Sequence, residues 1–399
     1  MKNIGLYLHI PFCRSLCHYC DFVKTANWNT NLVDSYFKAL RKHLVHWISQ
    51  SIEPNGYRFK TVFIGGGTPS LFTKEYEEIF ALLEPYLLPG AEITMEANPD
   101  NLKDDSLLFW KSIGINRLSI GIQSFCGTGL KFLTRQHSLQ QAVKSFEKAR
   151  GFFDNINIDM IYGWGTQDKA LWQKELQSLI GLDPNHVSLY LLTYAQRTPL
   201  GRAYSRGKLI SSSDQILESL YLTAKDSLNR AGFEHEEVSN WSKKSFSCKH
   251  NWLYWQDGYY LAVGAGACGY LPHSDSDFGL RYKYMSDERS FCSQRLPMIP
   301  ASGFFQKETC QDHLLLEERS ASIWLLEYIG ASLRHSKGID LDKVYKKIGS
   351  RFQPSQAVQK ALQEGLLFLS GNELRLVPQE WFRESSWCLL VYECFLHHK

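Results

Sequence analysis

Short apolar runs alternate with amphipathic stretches through the first 232 residues of this chain. The apolar runs are rich in β-branched residues and predict strands, whereas apolar positions spaced by three and four predict helices between them. The predicted strands are 4–10, 61–65, 92–96, 116–122, 157–161 and 186–192, and the predicted helices are 31–50, 74–85, 104–113, 139–151, 169–182 and 214–231. Six successive β–α units predict an α/β fold, a partial (β/α)6 TIM-like barrel that is open on one side.

The pattern changes twice after this region, so three domains are predicted: 1–232, a connecting segment 233–311, and a C-terminal domain 312–399. The last domain contains predicted helices 312–333, 341–348 and 355–364, followed by a hairpin of strands 366–370 and 373–377. This order resembles a winged helix. Because its helices carry no basic stripe, we interpret it as a packing or lid module that does not bind nucleic acid.

Composition limits the compartment and the partners of the chain. The net charge is +3, too balanced to indicate a nucleic-acid surface, and no apolar run reaches the roughly 18–20 residues of a membrane span. No signal-peptide pattern precedes the first strand, and the 10 cysteines form no regular disulfide framework. We therefore expect a reduced, cytoplasmic protein with at most peripheral membrane contact.

Cys13, Cys17 and Cys20 form a C-x3-C-x2-C loop directly after the first predicted strand. Three thiolates on a short loop can hold three irons of a [4Fe–4S] cluster and leave the fourth iron open to a small molecule. A zinc loop with a distant fourth ligand and a set of unlinked thiols are the alternatives. No second C-x2-C pair accompanies the loop in the sequence, which disfavours zinc.

Further polar residues follow the carboxyl ends of later strands, where parallel α/β folds place their chemistry. The glycine run 65–70 allows close approach of an anionic ligand or forms a tight turn. Glu96 and Asp159 stand inside β-runs, so each needs a partner such as a ribose diol, an ammonium group or Arg135. Gln123 is a ligand donor or a loop anchor.

The segment 250–255 places one histidine among aromatic and amide side chains. His250 could ligate a haem iron while its neighbours stack on the macrocycle, or it could be a structural histidine.

Taken together, these motifs resemble the radical S-adenosylmethionine (SAM) superfamily, and most closely the HemW-type haem chaperones of its HemN/HemW branch. The resemblance covers nearly the whole chain and is carried by segments 7–13, 65–70, 96–99, 117–125, 157–163, 250–255 and 264–267.

The resemblance implies a six-stranded partial barrel with SAM bound at the open iron of a [4Fe–4S] cluster. Residues matching those that contact the cluster-bound SAM in related oxidases are Tyr7, Gly66 and Glu96. Residues matching those that contact a second SAM are Gly67, Thr68, Gln123, Arg135 and Asp159, and whether a second SAM binds here stays open. His250 matches the haem ligand, with Asn251, Tyr254 and Trp255 in support.

Two features favour a chaperone over the related oxygen-independent coproporphyrinogen III oxidases. Phe22 occupies the position of the fourth cysteine in those oxidases, and Cys13 lacks their long preceding extension. The resemblance thus implies a protein that binds haem as cargo and passes it to respiratory proteins, with a homodimer as one arrangement. The alternative is the oxidase, in which a SAM-derived radical takes hydrogen from a propionate side chain. Whether the chain is an enzyme stays open.

The chain departs from the family pattern at two places. Residues 164–167 read Trp-Gly-Thr-Gln where the family usually has Leu-Pro-Gly-Gln. Cys268 replaces a family histidine, so any ligand role at that position is in doubt, although a thiolate can also bind haem iron.

Overall fold

The computed structural model describes residues 2–273, 276–294, 296 and 314–396. Six strands form its centre and pair in parallel in the order of the sequence. They are β1 (Lys2–Ile10), β2 (Tyr57–Gly66), β3 (Leu87–Ala97), β4 (Arg117–Gln123), β5 (Ile156–Tyr162) and β6 (His186–Leu191). All six predicted strands are confirmed.

Among the described residues, the sheet continues beyond these six strands to a total of twelve. The added strands are β7 (Glu234–Glu237), β8 (Asn240–Ser242), β9 (Tyr260–Val263), β10 (Cys268–His273), β11 (Ser276–Tyr284) and β12 (Leu314–Glu318). β9 pairs in parallel with β1, whereas β8 pairs antiparallel with β6. The strand β1 therefore lies inside the sheet, between β2 and β9.

Helices connect the parallel strands and pack on the sheet. Those before the C-terminal part are α1 (Thr30–Trp47), α2 (Glu77–Leu83), α3 (Asp104–Ser112), α4 (Gly127–Phe132), α5 (Leu139–Arg150), α6 (Lys169–Gly181), α7 (Pro199–Ser205), α8 (Asp214–Arg230), α9 (Lys249–Trp255) and α10 (Glu288–Ser293). The predicted helix 74–85 is only partly α-helical, because 3-10 turns flank α2 on both sides. No helix in the described part of the chain is long and apolar enough to cross a membrane.

The C-terminal part is mainly helical and carries a small separate sheet. Its helices are α11 (Ala321–Ser332), α12 (Leu341–Ile348), α13 (Gln356–Gln363) and α14 (Glu384–Glu393), and its strands are β13 (Ile339–Asp340), β14 (Leu367–Ser370) and β15 (Glu373–Leu376). The predicted hairpin is present as β14 and β15.

Residues 312 and 313 of the predicted helix 312–333 lie outside the described residues, and the prediction is wrong for residues 314–318. Residues 314–318 form β12, which pairs antiparallel with β11, and α11 begins only at Ala321, where the Ser320 side chain caps the helix. The side chains of Leu315 and Leu316 point to different faces of β12, so this short run follows the strand period.

Candidate functional site

The three cysteines of the loop line one cavity of about 820 Å³. This volume lies in the range of roughly 300–1,000 Å³ that is usual for small-molecule sites. The cavity also brings together most of the other predicted site residues: Gly66, Gly67, Thr68, Glu96, Gln123, Arg135 and Asp159. They come from the carboxyl ends of β2, β3, β4 and β5 and from the loop after α4, as expected for a parallel sheet.

The cysteine loop is attached to the chain that follows it. The backbone N–H of Cys13 donates to the carbonyl of Thr25 at 2.9 Å, and Trp28 Nε1 donates to the carbonyl of Cys13 at 2.7 Å. The loop therefore starts from a fixed point at the end of β1.

Two of the thiols also receive hydrogen-bond donors. The hydroxyl of Thr68 lies 3.6 Å from Cys13 Sγ, and Nη1 of Arg135 lies 3.5 Å from Cys17 Sγ. Burial raises the pKa of Cys13 to about 11 and also raises that of Cys20. A bound metal would overcome this shift, because a coordinating thiol is deprotonated by the metal's charge.

Gly66 and Gly67 are glycines for steric reasons. Gly66 has φ +116°, and a Cβ there would lie 2.6 Å from the ring of His9. A Cβ on Gly67 would lie 2.7 Å from the backbone carbonyl carbon of Pro11. The glycine run therefore packs directly against β1 and the start of the cysteine loop.

Glu96 faces the cavity beside this glycine run, and its carboxylate accepts the backbone N–H of Gly66 at 3.0 Å. Burial, together with the nearby charge of Asp159, raises the pKa of Glu96 to about 8. In the absence of a ligand the side chain is mostly protonated at pH 7. A ligand that donates N–H or O–H groups would favour its ionised form.

Tyr7 approaches the site only indirectly, since it is not among the residues that line the cavity. Its hydroxyl lies 3.0 Å from Nδ1 of His9, and Nε2 of His9 lies 2.8 Å from the carbonyl of Val23. Burial lowers the pKa of His9 to about 4, so this imidazole is neutral at pH 7. The predicted contact of Tyr7 with SAM stays a prediction.

The hydrogen-bond partners of Asp159 do not include Arg135, which was one of the three kinds of partner expected for it. Its carboxylate accepts hydrogen bonds from Ser119 and Asn157, each at 2.8 Å. Burial raises the pKa of Asp159 even though these bonds act in the opposite direction. Arg135 instead donates through Nη2 to Asn98 Oδ1 at 2.6 Å and to the carbonyl of Gly121 at 2.8 Å.

Gln123 adopts a backbone conformation that is uncommon outside glycine, with φ 72°. The register between β4 and β5 shifts between Gly121 and Gln123, and such irregularities often redirect a side chain at a site. The next residues are held by Glu175, whose buried carboxylate accepts the backbone N–H of Phe125 at 2.9 Å. Gln167, the residue of segment 164–167 that keeps the family identity, donates to the same carboxylate at 2.6 Å.

His250 lies outside the large cavity and is 1% exposed. Its Nδ1 is 2.8 Å from Thr61 Oγ1 and its Nε2 is 2.8 Å from the hydroxyl of Tyr254, while its ring stacks on Phe63. Burial lowers its pKa to about 3. Because both ring nitrogens are already hydrogen-bonded, iron binding by His250 would require it to leave these contacts, and its role as haem ligand stays a prediction.

The helix α9 that carries His250 is anchored at its start. The carboxylate of Glu92, at the beginning of the barrel part of β3, accepts the backbone N–H groups of Lys249 and His250, each at 3.0 Å. Negative charge is favourable at a helix N-terminus, so Glu92 holds α9 against the end of the strands opposite the cysteine loop.

The other members of the predicted haem motif are more accessible than His250. Asn251 and Trp255 are half-buried, and Tyr254 is exposed. Tyr254 lines a second cavity of about 250 Å³, together with Tyr260, Tyr270 and other residues. This volume lies below the usual range for small-molecule sites, so a porphyrin would need the cavity to widen. Cys268, the replacement of the family histidine, is exposed at the start of β10.

Sequence reasoning missed three residues that organise these sites: His9, Asn98 and Glu92. His9 and Asn98 stand inside motifs that were recognised, but nothing in the local pattern showed that His9 joins Tyr7 to the loop or that Asn98 joins Arg135 to Thr68. The role of Glu92 depends on a contact with residues more than 150 positions away, which no local pattern reveals.

Comparison with known proteins assigns the family. The model of the radical SAM superfamily matches residues 7–176. The protein named heme chaperone HemW of Bacillus subtilis (strain 168) is 33% identical over 381 residues, which cover 94% of this chain and 95% of that protein. The chain belongs to the HemW family of radical SAM proteins.

The chain is also similar to a mitochondrial protein and to a solved structure. The mitochondrial radical S-adenosyl methionine domain-containing protein 1 of Bos taurus is 31% identical over 382 residues, covering 94% of this chain and 84% of that protein. The structure of coproporphyrinogen III oxidase (HemN) from Escherichia coli, described as a radical SAM enzyme, has a TM-score of 0.75 at 18% identity, covering 98% of this chain and 91% of that one. At that identity the structural match shows the shared fold.

The residues around the large cavity fit the cofactors that the radical SAM superfamily implies. Three free thiols stand at its wall, two of them beside hydrogen-bond donors, and the remaining space adjoins a glycine run and a carboxyl group. Within the described ranges, no three histidine, cysteine or carboxylate groups are arranged to hold a single metal ion.

Proposed function

We propose that this HemW-family protein is a haem chaperone that holds a [4Fe–4S] cluster on Cys13, Cys17 and Cys20, binds SAM beside it, and transfers haem to respiratory proteins. The observation that supports this most is the match, over nearly the full length of both chains, to a relative named heme chaperone. Phe22, at the position of the fourth cysteine of related oxidases, is 67% exposed and supplies no further thiolate.

Each residue group around the cavity has a part in this proposal. When bound, a reduced cluster supplies a single electron to the SAM sulfonium. Gly66 and Gly67 let the wall of the site pack tightly on His9 and Pro11 beside the cysteine loop, because side chains there would meet these residues. Glu96 accepts donors from the ligand, and the half-buried position of Cys17 and Cys20 limits the access of water to the cluster.

Haem binding is the decisive test of the chaperone proposal. Full-length protein, reconstituted anaerobically with iron and sulfide, is titrated with haem and followed by its Soret absorbance. We expect saturable binding that weakens at least tenfold in His250→Gln, whose amide can keep hydrogen bonds to Thr61 and Tyr254. Unchanged haem affinity in a folded His250→Gln protein would remove His250 from the site, and no haem binding by the wild type would refute the proposal.

The second candidate is the oxygen-independent coproporphyrinogen III oxidase. It is favoured by the cavity itself, which is lined by all the predicted SAM-site residues except Tyr7 and is large enough for a ligand besides the cluster. The same reconstituted sample, given coproporphyrinogen III, SAM and a reductant under anaerobic conditions, is analysed for protoporphyrinogen IX. Product formed in proportion to 5′-deoxyadenosine would favour the oxidase over the chaperone.

A further inference from the structure

Arg135 is the residue of this site whose contacts differ most from the role that the family resemblance implies. We propose that Arg135 is a positioning residue for the cluster: its guanidinium donates to the Cys17 sulfur and makes the cluster easier to reduce. This inference rests on the proposed [4Fe–4S] cluster. It concerns the thiolate that Arg135 contacts in this chain, not the binding of a second SAM.

The guanidinium is held in place by two oxygen acceptors. Nη2 donates to Asn98 Oδ1 at 2.6 Å and to the carbonyl of Gly121 at 2.8 Å. These bonds fix the plane of the guanidinium. Its second amino group, Nη1, then lies 3.5 Å from Cys17 Sγ. The contact therefore follows from an anchored side chain and not from a freely rotating one.

The acceptors that anchor Arg135 belong to the barrel. Gly121 lies on β4, and Asn98 directly follows β3 and also donates to the hydroxyl of Thr68 at 3.3 Å. Thr68 in turn lies 3.6 Å from Cys13 Sγ. Asn98 thus connects the donors of two cluster cysteines, a neutral hydroxyl at Cys13 and a cation at Cys17.

The two donors act differently on a cluster. Reduction adds a negative charge that is spread over the iron and sulfur atoms, and hydrogen bonds to the sulfurs and nearby positive charge stabilise the reduced state. A charge-assisted bond is about twice as strong as a neutral one, and its effect is greater away from bulk water. Arg135 is half-buried at the cavity wall, so its charge is only partly screened.

These contacts occupy three of the five N–H donors of Arg135. Both N–H groups of Nη2 bind the protein and one N–H of Nη1 points at Cys17, which leaves the second N–H of Nη1 and the buried Nε, without a partner among the described residues, to donate to another ligand. The contact with Cys17 therefore uses a donor that a second SAM would otherwise have.

The test measures the midpoint potential of the cluster in the absence of SAM. Full-length wild type, Arg135→Gln and Arg135→Lys are reconstituted anaerobically, their iron and sulfide contents are measured, and the reduced cluster is followed by electron paramagnetic resonance during a redox titration. In Arg135→Gln we expect the ratio of reduced to oxidised cluster at the wild-type midpoint to fall about tenfold, which equals 59 mV for a one-electron couple. Arg135→Lys keeps the positive charge but not the planar guanidinium, so its midpoint potential should shift less.

Arg14→Gln provides the matched control. Arg14 lines the same cavity and follows Cys13 directly, but it is 59% exposed and pairs with Asp100 at 3.8 Å. Its removal deletes the same charge from the same cavity, and solvent screens that charge more strongly. We therefore expect a smaller shift than in Arg135→Gln.

The measured potentials decide whether Arg135 makes the cluster easier to reduce. Equal potentials in wild type and Arg135→Gln, or equal shifts in Arg135→Gln and Arg14→Gln, would overturn the inference. If Arg135→Gln cannot hold a cluster, Arg135→Lys decides: a more negative potential supports the inference, and an unchanged one overturns it. A wild-type protein that binds no iron and sulfide would refute the proposed cluster itself, which is a different outcome.

Discussion

Glu96 on β3 accepts the backbone N–H of Gly66 at the end of β2, with 3.0 Å between the nitrogen and Oε2. This single bond does not compensate for the burial of the carboxyl group, whose pKa is raised to about 8. The glycine run and the carboxyl group of Glu96 thus lie side by side in the site, and the carboxyl group is protonated when no ligand is bound.

The affinity for SAM should therefore increase with pH. Below pH 8 the empty site holds a proton on Glu96, and a ligand that donates to the carboxylate must displace that proton. Linkage then gives an affinity that rises by at most about tenfold per pH unit up to pH 8 and levels off above it. Isothermal titration in buffers of different ionisation enthalpy should detect proton release at pH 7. In Glu96→Gln, binding should be weaker and no proton should be released; equal proton release there would contradict the assignment to Glu96.

Gly67→Ala should reduce cluster incorporation. Its Cβ would lie 2.7 Å from the carbonyl carbon of Pro11 and 2.8 Å from the carbonyl oxygen of Phe12, so the backbone that leads to Cys13 must move. We expect at least a twofold loss of iron and sulfide after reconstitution. Gly127→Ala is the control, since nothing lies within 4 Å of the added Cβ. Full cluster content in Gly67→Ala would show that the loop adapts without loss.

His250→Ala should destabilise the protein even without haem. The change removes a buried ring and leaves the hydroxyls of Thr61 and Tyr254 without their partner. We expect a loss of about 3 kcal/mol in the free energy of unfolding, measured with urea on the cluster-free protein. Tyr254→Phe removes one hydroxyl only and should cost about 1 kcal/mol. If His250→Ala left the free energy of unfolding unchanged, the buried contacts of His250 would contribute little to stability.

The protein should lose stability below pH 6.5. Burial lowers the pKa of His250 and of His235 to about 3, and that of His9 and of His335 to about 4. Between these values and 6.5 each of these histidines binds more protons in the unfolded chain than in the folded one, so its contribution to stability falls as the pH falls and is constant above pH 6.5. The raised pKa of Glu96 acts in the opposite direction and is common to wild type and the histidine variant. Each histidine contributes up to about 1.4 kcal/mol per pH unit in this window. Thermal unfolding at pH 5 and pH 7.5 should show a weaker pH dependence in His250→Gln than in wild type.

Arg319→Ala should loosen the C-terminal helices from the sheet. Arg319 is 4% exposed and pairs with Asp257 at 2.9 Å, and Trp324 Nε1 on α11 donates to the same carboxylate at 2.8 Å. Removing the cation leaves the Asp257 carboxylate with Trp324 and with Lys343, whose Nζ lies 3.9 Å away. The loss of the charged hydrogen bond should cost about 2 kcal/mol. Hydrogen exchange should increase in α11 and remain unchanged in β2 and β3. If α11 were equally protected from exchange in wild type and in Arg319→Ala, the C-terminal part would be held mainly by apolar packing.

The parallel strands and the large cavity could be predicted because they depend on local patterns. Each strand has a continuous apolar run, and Cys13, Glu96 and Asp159 stand at or near the carboxyl ends where parallel sheets form sites. By contrast, Tyr260–Val263 is too short to indicate that β9 pairs with β1, and the Leu-rich start of β12 merges with the apolar pattern of α11. The burial of His250 depends on Thr61, a partner 189 positions away, and such contacts leave no local signal.

The position of β1 has a consequence for assembly. Since β2 and β9 flank it on both sides, the strand that carries the cysteine loop has no free edge and is expected to be among the last segments to open. A carrier that delivers iron and sulfide would therefore meet a strand paired on both sides and an accessible loop after it, in which Leu16 is 47% exposed. Insertion of the cluster should therefore proceed on the folded apoprotein, without separation of β1 from β2 or β9.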